Sequence, residues 1–465
     1  MLETDLVIIG AGPAGMAAAY TAAQSGLSVL LLDEQSRAGG QIYRDVERAA
    51  KTRGQILGND YTFGLALVEK LKHERIMHVT GAAVWQVGQD CEITYSVAGK
   101  ACQASGKRLL IATGALERPM PVPGWTLPGV MTAGAAQILL KQSGIVCERA
   151  VLVGSGPLLY LVAAQMIRTG TAPLAIVETQ SFSDRISAMR HLGGALRGWR
   201  YLAKGLALLA EIRRAGIPRF TAATSISIEG DGKAQAIRFT SAGRENRIDC
   251  ATILLHHGVV PNTQISRSIG LDHHWDPDQR CFVPQTDGWG RTSLSAIFIA
   301  GDGGGIGGAK AAEIAGSLSA LEIACDLGAM DKCERDHKAG RLRRALTSEL
   351  AARPFLDRAY PPFAPALTPD DATIICRCEE VTAGDIRRYA KLGCIGPNQT
   401  KAFGRAGMGP CQGRYCGLPI TELLAEANRK TQEETGYYRI RPPIKPVTLG
   451  ELASLADIET IDAAQ

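Results

Sequence analysis

"DLVIIGAGPAGMAAAYTAAQSGLSVLLLDEQ", Asp5 to Gln35, sets a short apolar strand, three glycines, an alanine-rich helix and a second apolar strand ending at Asp33 in immediate succession. Gly10, Gly12 and Gly15 stand in GxGxxG spacing, with Pro13 and Ala14 filling the turn. The first glycine permits the tight turn, the second lets backbone approach a pyrophosphate at a helix N-terminus, and the third lets helix and strand pack closely. Asp33 follows at about the 20-residue distance from which a carboxylate accepts hydrogen bonds from an adenosine ribose, and Glu34 is the reserve candidate. A Gly/Ala-rich helical hairpin is the bland alternative.

Three later segments belong with that loop. "AGGQIYR" places Gly39, Gly40 and Gln41 just past the ribose carboxylate, where backbone can run close to a cofactor. "LLIATGALERPMPVPG" reads as a buried strand stopped at Gly114, then a proline-rich crossing into a new unit. "AIFIAGDGGGIGGAKAAEIAG" reads as a strand from Ala296 to Ala300 that delivers Gly301 and Asp302 onto a glycine-rich helix start. These pieces resemble the two-dinucleotide-binding flavoprotein family of thioredoxin and glutathione reductases, matched at "GAGPAG", "ATG" and "GD". The resemblance implies a cofactor pocket that also draws on Val84, Ala112 and Thr113, with Asp302 holding the ribityl chain of FAD.

The composition is that of an ordinary globular soluble protein and excludes other classes. The 465 residues suffice for about three domains, with 46% hydrophobic and 21% charged residues. A net charge of +5 from 51 basic and 46 acidic residues, without a basic block, argues against nucleic acid as a partner. The acidic start "MLETD" is not that of a secretory signal, so a cytoplasmic chain is expected. The 12 cysteines, irregularly spaced and mostly inside apolar segments, suit reduced thiols. The longest uncharged run, Ala150 to Ile167, is divided by "GSGP" into strand, turn and helix start, which leaves no transmembrane segment.

That run opens a second nucleotide-type unit, "AVLVGSGPLLYLVAAQMIRTG", which reaches an acidic residue, Glu178, after the strand "LAIVE". Here the third glycine position is Leu159, and Val162 stands where the family usually has glutamate. A leucine where helix and strand should nearly touch forces them apart or costs about 1–3 kcal/mol in overpacking. A structural or docking role is therefore favoured over nicotinamide binding.

The stretch "IICRCEEVTAGDIRR" supplies Cys376 and Cys378, and "GPCQGRYCG" supplies Cys411 and Cys416. Four thiolates in two close pairs can grip two bridged irons, while nearby glycines let backbone N–H groups approach the sulfurs. Zinc and unliganded thiols are the alternatives, but zinc half-sites usually have two to four residues between cysteines, and CxC falls outside that range. "CRCEEVT" and "GMGPCQGRYC" resemble the bacterioferritin-associated-ferredoxin type of 2Fe-2S domain, whose common second pair is CxxC; the longer loop marks a subtype. Cys394 reads as core, as do Cys325 and Cys333 around a helix end. His256–His257 and His273–His274 read as satisfied or solvated, with no carboxylate or cysteine cluster in the nearby sequence to complete a site.

The proline-rich stretch Ala352 to Asp371 reads as a linker. A helix is expected from Pro419 to Lys430, then an extended arm, "YYRIRPPIKPVTLGELASLAD", that docks on its own body or on a partner. The expected fold is α/β: two Rossmann-like dinucleotide-binding domains of the glutathione/thioredoxin reductase type, plus a small C-terminal 2Fe-2S domain. The boundaries are 1–120 with 285–330 for the first domain, 121–284 for the degenerate second, 331–371 for a helix and linker, 372–430 for the cluster and 431–465 for the arm.

The flavoprotein body, the CxC…CxxxxC set, the degenerate second loop and "RPPIKPVTLGELA" together resemble the larger, non-substrate subunit of heteromeric amino-acid dehydrogenases. That group comprises octopine and nopaline oxidases, D-hydroxyproline dehydrogenase and hydrogen cyanide synthase. The resemblance implies a glycine-oxidase-like flavoprotein partner (the beta subunit) that oxidises the C–N bond, a small third subunit in some members, and a respiratory-chain acceptor. It implies a 2Fe-2S cluster, FAD or an adenine nucleotide such as ATP in the first pocket, and a further flavin, FMN, that can sit between subunits. The location implied is cytoplasmic or peripheral at the inner membrane face. A self-sufficient NAD(P)H-dependent FAD/iron–sulfur reductase is the rival reading, and a redox-sensing scaffold the third.

Overall fold

The computed structural model describes residues 1–462, with side chains to residue 456. In the first domain, strand Leu2–Ile9 is flanked by the parallel strands Val29–Asp33 and Lys100–Ile111. Ile76–Thr80 extends the sheet in parallel on one side, and Ile297–Ile299 pairs in parallel with Lys100–Ile111. Glu92–Val97 and Ala83–Val87 close the other side as an antiparallel pair. Ile9 registers with Leu32 and Ile111, and Ile111 with Ile299. Four parallel strands therefore end at one edge, and the residues just beyond are Gly10, Asp33, Ala112–Gly114 and Gly301.

Small residues decide how close the helices come. Helix Pro13–Gln24 buries Ala14, Ala18, Ala19 and Ala22. A Cβ on Gly15 would lie 1.8 Å from the Gly10 carbonyl oxygen, so only glycine allows this helix to rest on its strand. The helix Ala309–Asp326 packs against it equally tightly, since a Cβ on Gly316 would meet the Ala14 oxygen at 2.1 Å. The strand stops at Ile111 rather than Gly114 because Gly114 turns at φ +64 to leave the sheet.

The second domain is a five-stranded parallel sheet in the order Arg219–Phe220, Ala175–Glu178, Ala150–Gly154, Thr252–His256, Val130–Thr132. A three-stranded antiparallel meander, residues 224–249, covers one side of its core. The two domains exchange chain through the paired strands Ala115–Glu117 and Val259–Pro261.

The stretch read as a linker is instead packed helix. Arg353–Ala359 and Ala364–Leu367 each start with proline in the first turn, where its missing N–H costs nothing. Ala351 and Ala352 press against Gly194 and Gly198 of the second domain. The cysteine-bearing region follows, with paired strands Ile374–Cys376 and Val381–Thr382, and the helices Ala383–Lys391, Pro397–Gly404 and Gly417–Asn428. Its apolar residues Ile375, Ile386, Ile420, Leu423 and Tyr438 join Val7, Leu30, Leu109 and Ile297 of the first sheet in one continuous core. The expected separation between body and cluster region does not exist.

Lys141 marks the seam between the two nucleotide-type domains. It is buried on helix Ala133–Ser143 and donates to the Gln41 carbonyl at 3.0 Å and to Gln137 Oε1 at 2.8 Å. Burial, with repulsion from Arg44, lowers its pKa to about 7. Between about 7 and the unfolded value, the unfolded chain binds a proton that the folded chain does not, so Lys141 costs stability below pH 7 and ceases to do so as pH rises through that window. The unfolding free energy of the wild type, relative to Lys141→Met, should thus rise by roughly 1 kcal/mol per pH unit above pH 7. Denaturant titrations of both proteins across that range measure it, and parallel curves would refute it.

Candidate functional site

The first pocket gathers the residues read from the glycine loop. Gly10 turns at φ +105, and a Cβ there would strike the Ala112 oxygen at 2.5 Å. Pro13 starts the helix, and Gly39 N–H donates to the Ala11 carbonyl, laying Gly39–Gly40 over Gly12 with 2.8 Å between a Cβ on Gly40 and the Gly12 Cα. Gln41 keeps its carbonyl for Lys141. Asp33 is buried at the strand end, where Oδ2 accepts from Ala11 N at 2.6 Å and Oδ1 from Gln35 N at 2.7 Å. Asp33 therefore faces the loop, whereas the more exposed Glu34 pairs with Lys445 of the C-terminal arm.

The far side of the pocket comes from the other strand ends. Thr113 Oγ1 donates to the Asn262 carbonyl at 3.3 Å, and Asn262 N donates to the Gly114 carbonyl at 2.9 Å. A Cβ on Gly114 would meet nothing within 4 Å, so this turn faces open space. Gly301, at φ +77, touches Ala14, and Asp302 Oδ1 accepts from Gly307 N and Gly308 N at 2.9 and 2.8 Å, fixing the next helix start. Val84 lies buried on Ala83–Val87 beside Trp85, whose carbonyl accepts from Ile444 N of the arm at 2.8 Å. The arm docks on its own body here, and Ala101 N donates to Ser454 Oγ farther along. A backbone cradle of glycines ending at a buried carboxylate fits an adenine dinucleotide such as FAD.

The second loop differs at its middle glycine. Gly156 adopts φ +125, whereas Gly12 adopts φ −77, and Leu159 is buried in the domain core. The changed turn accommodates the side chain that the sequence shows at the third glycine position. Glu178, the would-be ribose carboxylate, is fully buried and bound by Arg219 at 2.7 and 3.0 Å. Tyr360, from the packed helical stretch, stands edge-on to Tyr160 at 6.2 Å, and burial first, then the Glu178 charge, raises the Tyr160 phenol. Ser155 Oγ, Thr179 Oγ1 and Gln180 Oε1 line the same region, buried without hydrogen-bond partners.

Sequence reasoning missed a carboxylate here. His256 Nδ1 donates to Glu117 Oε1 at 2.6 Å, and Glu117 also accepts from Gly134 N at the start of a helix. The two are 139 positions apart in sequence, and only the crossing strand brings them together. His257 is satisfied by the Pro119 carbonyl and Phe363 N, and His273 by Ser266 and the Leu271 carbonyl. Cys394 is buried as expected, but Cys325 is only partly buried and Cys333 is exposed.

The four motif cysteines meet in two pairs, Cys376 with Cys416 and Cys378 with Cys411. All twelve cysteines are free thiols. The hydrogen bond from Cys416, assisted against burial by backbone N–H groups of Gly407, Glu379 and Cys378, lowers Cys376 to about 6, while Cys416 is pushed well up. Glu380, Arg405 and Gln412 take left-handed backbone conformations around the loops, a strain that tight enclosure sustains. A Cβ on Gly409 would fall 2.2 Å from Cys378 Cβ. Among the described residues no group of three or more His, Cys, Asp or Glu converges to hold a single ion. The pairs also feel each other's charge, Cys376 with Cys378 and Cys411 with Cys416, so the four thiols form one neighbourhood. The loop is tied to the first pocket's rim, because Gln264, two residues beyond Asn262, donates to the Gln412 carbonyl at 3.0 Å.

Comparison with known proteins agrees with this architecture. The pyridine nucleotide-disulphide oxidoreductase family matches residues 4–316, and the sarcosine oxidase A3 domain matches residues 371–456. The chain is 43% identical to the A-subunit of opine oxidase from Rhizobium meliloti, over 97% of its own length and 87% of that protein's. It is 32% identical to the HcnB subunit of hydrogen cyanide synthase from Pseudomonas aeruginosa, over 97% and 98% of the two chains. The fold of L-proline dehydrogenase from P. horikoshii superposes with a TM-score of 0.70 at 20% identity, over 97% of this chain and 79% of that one. T. acidophilum thioredoxin reductase, at 20% identity and a TM-score of 0.52, matches 70% of this chain and 99% of its own.

With Leu159 in the core, Glu178 bound by Arg219 and Tyr360 packed on Tyr160, NADH should bind the protein with a dissociation constant weaker than about 1 mM. Isothermal titration calorimetry reads this directly. Micromolar binding would show that the second loop retains a nucleotide function.

Proposed function

The chain belongs to the family of opine oxidase A-subunits, built on a pyridine nucleotide-disulphide oxidoreductase body, and from that membership we propose that it is the electron-transfer subunit of a heteromeric flavin and 2Fe-2S oxidase or dehydrogenase. The substrate would be an opine of the octopine or nopaline type, or a related secondary amino acid such as D-hydroxyproline. The observation that carries the electron-transfer reading is the meeting of Cys376, Cys378, Cys411 and Cys416 in two thiol pairs beside the first pocket.

Gly10, Gly12, Gly15 and Asp33 would hold the adenosine diphosphate end of FAD, or an adenine nucleotide alone, and Thr113, Gly114, Gly301 and Asp302 would border the rest. The four cysteines would hold a 2Fe-2S cluster, which supplies single-electron transfer when bound. The protein's own part is positioning. Thr382 and Asp385 form a capping box that fixes the helix after the first cysteine pair. Tyr438, 3.9 Å from Cys416 Sγ, helps enclose the second. Backbone N–H groups aimed at Cys376 favour its thiolate form.

Glu117 and His256 are spent on each other and on a helix start, which supports placing substrate oxidation in a glycine-oxidase-like flavoprotein partner. A small third subunit, an FMN between subunits and a respiratory acceptor complete the proposal, with the assembly in the cytoplasm or peripheral at the inner membrane face. No helix among the described residues is long and apolar enough to cross a membrane.

Two outcomes are expected. The purified chain should contain about two irons and two acid-labile sulfides, and Cys411→Ser should lose both. Because the cysteine region shares its core with the first sheet, that variant should also melt at lower temperature, by several degrees if about 1–2 kcal/mol is lost. Zinc without sulfide would overturn the cluster. Separately, the chain alone should reduce no dye with octopine, nopaline or D-hydroxyproline, whereas co-expression with the flavoprotein partner should give turnover. Substrate-dependent dye reduction by the chain alone would remove the division of labour.

A further inference from the structure

A side chain of the C-terminal arm enters the cysteine region and ends at a motif sulfur. Tyr438 follows Cys416 by 22 positions, is 1% exposed, and brings its phenol oxygen to 3.9 Å from Cys416 Sγ. Its ring is clamped between backbone segments that serve the cysteines. A Cβ on Gly407 would fall 2.5 Å from the ring's Cζ and one on Gly413 2.6 Å from its Cδ2, so the ring enters only because both are glycine. The N–H of Gly407 is aimed at Cys376, and Gly413 lies between Cys411 and Cys416. The neighbouring Tyr437 spends its hydroxyl on the Gly413 carbonyl at 3.2 Å, whereas the Tyr438 hydroxyl reaches no carbonyl.

A count of hydrogens sets the direction of the bond. Tyr438 has one O–H, and the groups within its reach are Thr400 Oγ1 at 3.3 Å and Cys416 Sγ at 3.9 Å. Thr400 gives its own hydrogen to the Pro397 carbonyl at 2.7 Å, so toward Tyr438 it can only accept. A free Cys416 thiol has a hydrogen of its own, but a cysteine that holds metal is a thiolate, with none to give and a negative charge. An ionised acceptor makes the stronger hydrogen bond, so with metal bound the phenol O–H turns chiefly to Cys416. Adding one electron to an iron–sulfur group puts further negative charge on its sulfurs, and a donor aimed at one of them stabilises the reduced form more than the oxidised one. The electron comes from the reduced flavin of the proposed assembly, and the phenol keeps its proton throughout.

We propose that Tyr438 is a positioning residue for electron transfer, which through its O–H to Cys416 raises the reduction potential of the group held by the four cysteines. The assignment rests on the electron-transfer reading given above and adds to it a residue outside both cysteine motifs.

The test is a redox titration of the purified full chain followed by electron paramagnetic resonance, after iron and acid-labile sulfide have been counted. Tyr438→Phe keeps the ring between the two glycines and deletes only the hydroxyl. It should retain about two irons and two sulfides, yet its equilibrium constant for reduction should fall about tenfold, a midpoint potential lower by about 59 mV for one electron. Thr400→Val deletes the competing acceptor, confines the phenol O–H to Cys416 and should raise the potential. A loaded Tyr438→Phe with the wild-type potential overturns the proposal and leaves the electron-transfer reading standing. If Tyr438→Phe holds no iron, Thr400→Val decides alone, and a potential there that is unchanged or lower overturns the proposal. A wild type without iron and sulfide removes both the electron-transfer reading and this assignment.

Discussion

The carbonyl oxygen of Gly10 lies 1.8 Å from where a Cβ on Gly15 would be, and the first domain is organised around that approach. Because nothing separates helix Pro13–Gln24 from its strand, the helix N-terminus is aimed at the edge where four parallel strands end. The next layer repeats the device. Gly316 lets a second helix meet Ala14, and Gly301 lets the last strand turn beside Ala14 as well. The pocket is thus defined by side chains that are absent, and even a methyl group at Gly15 would separate the elements that build it. The second domain shows the alternative. With Leu159 in the same place, the middle glycine changes conformation, the leucine enters the core and the loop loses the geometry of the first.

The other organising feature is the merger of the cysteine region with the body. Arg280 grips Glu422 through two hydrogen bonds, Trp125 Nε1 donates to the Ile374 carbonyl at 2.7 Å, and Gln264 donates to the cysteine loop. Arg267 is sandwiched between Phe282 and Tyr437, 4.6 and 4.4 Å from their ring centres, and burial lowers it to about 10. Charged and aromatic groups committed to a seam in this way hold the glycine-loop pocket and the cysteine loops in a fixed relation.

Much of this is legible in the sequence because it is local. GxGxxG, Asp33, "ATG" and "GD" each carry their own backbone chemistry, and sheet register brings them to one edge without further information. The CxC and CxxxxC pairs are equally plain, although the pairing of Cys376 with Cys416 across the motifs comes from the fold. What escapes is non-local or dependent on packing. Glu117 and His256 are joined only by the crossing strand. The prolines of Ala352–Asp371 suggest an extended linker, yet proline is also tolerated in a helix's first turn, and burial against the second domain decides between the two. Cys333 is expected inside because cysteine usually is, but its helix face has nothing to pack against it.

The arm that leaves the cysteine region places Ile444 on Trp85 and Lys445 on Glu34, next to the glycine loop. Residues far apart in order of synthesis therefore share one rim. A ribosome adding about 5–20 residues per second needs on the order of tens of seconds to travel from the glycine loop to that arm. The glycine loop is therefore synthesised well before the arm that packs beside it, and their shared rim is among the last parts of the fold to close.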